Sequence, residues 1–148
     1  MKKAVTGFEI LNEIGIINQL STSRFERLLN DGLTRSQFSV LNNFVRLGGT
    51  RTPAGLAEAF QVTRGAMTNT LKRLAERGCI KIDPNGEVGR SKIVTITAKG
   101  RRLRDRSIAA TQPDMTKLVN AVGDETLRNL QPLLAKLRVY LDNDRNTD

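Results

Sequence analysis

From Val62 to Gly78 the chain reads VTRGAMTNTLKRLAERG. Wound as a helix, this stretch places Met67, Leu71 and Leu74 on one side. The opposite side carries Arg64, Thr68, Asn69, Lys72 and Arg73, with Gly65 and Ala66 near the start. A helix that only had to stay in solution would be filled with Glu, Lys and Gln, yet the first acid here is Glu76. The residue types on the outer face are those that read nucleic acid. Arginine can take both acceptors of guanine, asparagine can pair with adenine, and threonine can meet a base edge or the thymine methyl. Lysine and arginine also neutralise phosphates, and small residues let the backbone come close.

The charge distribution points the same way. Residues 61–106 hold 12 Lys+Arg and 4 Asp+Glu, a net of +8, whereas residues 1–60 carry +2 and residues 107–148 carry −1. A concentrated basic third suits a polyanion partner, with a solvated basic surface as the bland alternative. With no histidine and one cysteine in 148 residues, internal disulfides and imidazole acid–base chemistry are excluded. A zinc site would rest on Cys79 and carboxylates, a poor ligand set. No glycine-rich phosphate loop or nucleophile–base pair is evident, so the expectation is not an enzyme, with no cofactor and no metal. No apolar run is long enough to cross a membrane, and Glu9, Asn12 and Glu13 interrupt what would be a signal-peptide core. The expected location is the cytoplasm.

The elements around the reading stretch follow from local signals. Residues 8–29 read as a helix with a wide apolar stripe (Ile10, Ile14, Ile17, Leu20, Phe25, Leu28), broad enough to be covered by another subunit. Thr34 and Gln37 form a capping box, and Leu33 and Phe38 occupy the hydrophobic-staple positions. That helix runs to Gly48, which can end it in the left-handed conformation. Thr52-Pro53 opens a short helix ending near Phe60, and Thr63 caps the reading helix, with Val62 able to staple onto Met67. After Gly78 the period changes to β-like runs, 79–83 and 92–97, around the turn cluster PNGEVGRS. They form a hairpin carrying Arg90 and Lys92. Thr97 caps a further helix over 98–110, which Pro113 should kink or break. A last helix starts at Asp124 with Leu127, Leu130, Leu134, Leu137 and Leu141 as an a/d-like seam and a kink expected near Pro132.

Helix, short helix, tight turn, helix and hairpin make a helix-turn-helix followed by a wing, in which the second helix lies in the major groove. The candidate DNA-binding residues are Arg64, Gly65, Thr68, Asn69, Lys72 and Arg73 on the helix, Arg90 and Lys92 on the wing, and Thr52 and Thr63. The threonines are helix caps first and phosphate contacts second. Arg101, Arg102, Arg104 and Arg106 read first as a solvated face, with a DNA-backbone role as the alternative. Cys79 reads as buried core rather than a redox sensor.

The stretch TPAGLAEAFQVTRGAMTNTLKRLAERGCIKIDP, followed by GRSKIVTITAKG, resembles the MarR family of bacterial transcriptional regulators, and the likeness covers nearly the whole chain. The fold expected is mainly α with a small β-hairpin wing (α+β): a winged helix-turn-helix over 34–97, with helical dimerisation regions over 8–30 and 98–142. The resemblance implies a homodimer that binds palindromic double-stranded DNA, usually as a repressor whose grip changes with a small-molecule effector or oxidation. Two departures stand out. Arg90 matches the family's wing arginine, but Val88, with Glu87 beside it, stands where an aspartate is frequent. Gln61 stands in the interhelix turn, where helix-turn-helix proteins often have glycine. The competing function is a winged-helix module that binds protein, which would have no need of +8 in residues 61–106.

Overall fold

In the computed structural model, residues 3–84 and 91–147 are described. Six helices and one hairpin follow in the order α1 (Gly7–Leu28), α2 (Arg35–Leu47), α3 (Pro53–Phe60), α4 (Arg64–Glu76), β1 (Ile80–Asp83), β2 (Ile93–Ile96), α5 (Ala98–Val122) and α6 (Asp124–Asp144), with one 3-10 turn at Asn30–Gly32. The chain divides into two compact units, Met1–Ala110 and Thr111–Asp148.

The core belongs to the first unit. Val40, Leu41 and Phe44 of α2 meet Leu56 and Ala57 of α3, Met67, Leu71 and Leu74 of α4, Ile80 and Val94 of the hairpin, and Leu103 of α5. Each fully buried leucine stabilises the fold by roughly 1.5–3 kcal/mol. The helix starts are set by threonines. Gln37 N–H donates to Thr34 Oγ1 at 3.2 Å, and Thr34 N–H donates to Gln37 Oε1 at 3.4 Å, so the expected capping box is formed and explains why a glutamine is buried. Thr52 accepts from Gly55 N–H at 3.0 Å and Thr63 from Ala66 N–H at 3.1 Å. A second capping box, Thr6 with Glu9, opens α1 one residue before the expected start.

The hairpin is antiparallel, with Ile80 opposite Ile96 and Asp83 opposite Ile93. Arg51 adds a bridge to Val94, with N–H···O distances of 3.1 and 2.7 Å, so a single residue of the α2–α3 loop forms a third rung that no strand-like run announces. Arg51 also donates to Asn43 Oδ1 at 3.2 Å and lies over the Phe44 ring. At the base of the hairpin Thr97 accepts from Gly100 N–H at 3.1 Å and donates its hydroxyl to Gly78 O at 2.6 Å. This pair of hydrogen bonds ties the residue that follows the end of α4 to the start of α5.

Of the kink or break expected at Pro113, the break does not occur. α5 continues through Pro113 to Val122, and α6 likewise contains Pro132. A helical proline forfeits one amide and crowds the carbonyl four residues back. Here Pro113 and Ala109 are both exposed, so water can satisfy the freed carbonyl.

Two predictions follow from these contacts. A Cβ on Gly100 would lie 2.2 Å from the Cys79 carbonyl oxygen, a backbone atom that cannot swing aside. Gly100→Ala should destabilise the protein by about 1–3 kcal/mol, read as a lower Tm, because the overlap must be relieved by moving α5 off the hairpin base. The Thr6 backbone amide, and then its hydroxyl, hold the Glu9 carboxyl below its ordinary value of 4.5. A depressed carboxylate stabilises the fold above its unfolded pKa and loses that contribution as pH falls through the folded one. Amide exchange in the first turn of α1 should therefore accelerate as pH drops below about 4.5, after correction for the intrinsic exchange rate, and Glu9→Gln should remove that dependence.

Candidate nucleic-acid interface

Met67, Leu71 and Leu74 are 3%, 2% and 0% exposed, which fixes the rotation of α4 about its axis. With that stripe inward, Arg64, Gly65, Thr68, Asn69, Lys72 and Arg73 are all exposed, together on the outer face of one helix. Arg64, Thr68 and Lys72 form one row four residues apart, and Gly65, Asn69 and Arg73 form the row beside it. No acid interrupts either row before Glu76.

Gly65 shows why its residue type matters. Its backbone is ordinary helix, and a Cβ there would meet nothing within 4 Å. Protein packing therefore gives no reason for glycine at this position, and the open space lies outside the protein.

Thr63 is exposed and Thr52 half-buried at the heads of α4 and α3. Both hydroxyls serve as cap acceptors, as the sequence suggested. Lys92 is exposed just before β2. Arg90, with Glu87 and Val88, lies outside the described residues. The turn from α3 to α4 is made by Gln61 at φ 52°, ψ 46°, the left-handed conformation that glycine takes at least cost. A non-glycine residue there costs roughly 1–2 kcal/mol. Gln61 Nε2 donates to Glu58 O at 2.8 Å, a bond that glycine could not make. The departure from the usual residue therefore leaves the turn left-handed. Val62 remains 43% exposed, so any staple onto Met67 is partial.

The four α5 arginines separate into two kinds. Arg104 donates through Nε and a terminal nitrogen to Asn42 Oδ1 of α2, at 3.1 and 3.0 Å, and bridges Asp105 at 3.0 Å. Arg106 lies 3.9 Å from Asp31, while Arg101 and Arg102 are exposed. The Asn42–Arg104 pair and the Gly100 contact were not legible in sequence, because each joins elements far apart in the chain. Cys79 is fully buried in the core. Among the described residues no group of three or more Cys, Asp or Glu could hold a metal ion.

Comparison with known proteins shows what the chain resembles. The MarR-family sequence profile matches residues 31–91, which take in α2, α3, α4 and β1. The multiple antibiotic resistance protein MarR of Salmonella typhimurium is 29% identical over 93% of this chain and 99% of its own length. Over these residues, and at this level of identity, the chain is similar to the MarR family. A mutant of E. coli MarR crystallised with operator DNA superposes with a TM-score of 0.67 at 25% identity, covering 90% of this chain and 99% of that one. The regulator BldR of Sulfolobus solfataricus has a TM-score of 0.75 at 24% identity over 92% of this chain and 99% of that one, a likeness of fold. The architecture is thus a winged helix like that of these MarR structures, mainly α with a two-stranded hairpin. No helix among the described residues is long and apolar enough to cross a membrane.

The open space at Gly65 and the Asn42–Arg104 bonds give opposite stability predictions. Gly65→Ala should raise stability by about 0.5–1 kcal/mol, since alanine gains helix propensity and meets no clash. Arg104→Ala should lower it by about 1–3 kcal/mol, whereas Arg101→Ala and Arg102→Ala should stay within about 0.5 kcal/mol of the parent. Thermal melts of the four variants check both statements.

Proposed function

We propose that this protein is a sequence-specific transcriptional regulator that binds palindromic double-stranded DNA as a homodimer, acting as a repressor. The observation that carries the reading is the acid-free outer face of α4, held outward by a buried apolar stripe. In this reading Arg64, Thr68 and Asn69 meet base edges in the major groove, while Lys72 and Arg73 meet phosphates. Gly65 lets the helix backbone approach, Lys92 and Arg90 extend the grip through the wing, and Thr52 and Thr63 present helix N-termini to the backbone. The operator complex of the E. coli relative supports the assignment of DNA as the partner.

Dimerisation is supported by apolar surface that neither unit buries by itself. In α1, Phe8, Ile17 and Leu20 are 78%, 57% and 67% exposed, and no residue of that helix is fully buried. In the second unit Leu118, Val122, Leu130, Leu133, Leu134 and Tyr140 are exposed, and α6 likewise buries nothing fully. Exposed apolar area of this extent marks an association surface. We assign residues 8–30 and 98–142 to it and residues 34–97 to DNA. A two-fold dimer would set its recognition helices about one helical turn of DNA apart. A small ligand that changes the DNA-binding geometry completes the regulatory reading.

Mobility-shift titration across salt tests the DNA assignment. A dimer that neutralises roughly 6–10 phosphates gives a slope of about −5 to −9 in log K against log[salt]. The absence of any salt-dependent shift on duplex DNA would favour a protein-binding winged helix instead. Sedimentation tests the dimer: truncation before Asp124 should abolish dimerisation and DNA binding together, and a folded, DNA-competent monomer would contradict the assignment.

A further inference from the structure

Hydrogen bonds fasten the wing to the core near both ends of β2. At Thr97 the hydroxyl donates to Gly78 O, and at Val94 both backbone groups pair with Arg51, at N–H···O distances of 3.1 and 2.7 Å. Three residues of extended chain separate the two points, about 10 Å. One attachment would let a hairpin pivot, and two set its direction. Lys92 stands two residues before Val94, within about 7 Å along the chain, so its position follows from the Val94 rung.

The Arg51 side chain holds that rung in place. Gly48 and Gly49 take φ of 66° and 74°, conformations open to glycine that carry the chain back along α2. The Arg51 guanidinium then lies over the ring of Phe44, 5.7 Å from its centroid. Its Nε donates to Asn43 Oδ1 at 3.2 Å and Nη1 donates to Thr50 O at 2.7 Å. Phe44 is fully buried in the core, so the anchor is rigid. Any residue with a backbone N–H and C=O can make the rung. The clamp needs a planar fork that donates along its edge while a ring covers its face, which lysine lacks. A half-buried guanidinium engaged in this way serves the protein rather than a phosphate.

We propose that Arg51 is a positioning residue of the wing. Clamped to α2 through its side chain and paired to β2 through its backbone, it fixes the direction in which the hairpin presents Lys92 to the duplex. The consequence for DNA rests on the reading of the wing as a DNA contact; the clamp itself does not.

Amide exchange and mobility-shift titration of the full-length protein test the two halves separately. In Arg51→Ala the Val94 amide, which donates to Arg51 O, should exchange roughly tenfold faster. The Cys79 and Thr97 amides, bonded to Leu74 O and Cys79 O, should keep the parent's rates. Unchanged protection at Val94 would overturn the clamp, and so would equal acceleration at all three amides, which reports a general loss of stability. For DNA the probe is a duplex selected by the parent protein from random sequence, titrated well below the melting temperature of every variant. Arg51→Ala and Lys92→Ala should each weaken binding. In the double variant their fold-losses should fall short of multiplying by roughly threefold or more, the coupling of residues that act through one network. Asn69→Ala, on α4, should multiply with Arg51→Ala, and Arg51→Lys should not restore the parent's affinity. Losses at Arg51 and Lys92 that multiply in full, or recovery with lysine, would make Arg51 a direct phosphate contact and overturn the positioning role. Parent-like affinity of Arg51→Ala would overturn it too, leaving Arg51 a stabilising residue. Lys92→Ala without effect on DNA, beside faster Val94 exchange in Arg51→Ala, would count against the wing as a DNA contact and leave the clamp standing.

Discussion

The rotation of α4 is the constraint on which the rest of the structure depends. Met67, Leu71 and Leu74 must all enter the core, and a helix that buries three residues on one stripe has no freedom to turn. Every residue assigned to DNA on that helix inherits its direction from this packing. A rotation of one residue, about 100°, would bury a polar side chain from the outer face and expose a leucine. The cost of burying an unpaired polar group and of exposing the apolar one forbids it.

The remaining elements hold that helix at both ends. Thr63 caps its start, and the left-handed Gln61 turns the chain into it from α3. At its far end Gly78, Thr97 and Gly100 bind α4, the hairpin base and α5 through hydrogen bonds and a backbone approach too close for a Cβ. The hairpin is held from the other side by the Arg51 bridge. On α1, Phe25 stacks edge-on against Phe38 at 4.9 Å, and Glu26 accepts the first amide of α2. The helix assigned to subunit contact is thereby fastened to the winged-helix core through α2.

Much of this was legible in the sequence, because it depends on neighbours in the chain. The threonine caps, the capping box at Thr34 and Gln37, the apolar stripe of α4 and the change of period at Gly78 are all local, and each is present in the structure. What the sequence hid is of two kinds. Contacts between distant positions, such as Asn42 with Arg104, Arg51 with Val94 and Gly100 with Cys79, leave no periodic trace. Pro113 misled in the opposite sense, since a strong local breaker was accommodated by its exposed surroundings. For the candidate site, the sequence identified the helix and its outer face; that Gly65 faces open space and that Arg104 is occupied within the protein required coordinates.

The central claim is that the outer face of α4 reads bases while the wing anchors. Binding selection on random duplexes, comparing the parent with Asn69→Ala and Arg90→Ala, tests it most directly. The account predicts that Asn69→Ala relaxes preference at one base position in each half-site, at a cost of roughly 1–3 kcal/mol on the parent's site. Arg90→Ala should weaken many sequences together without changing which bases are chosen. A selected motif left unchanged by Asn69→Ala but rewritten by Arg90→Ala would contradict the account.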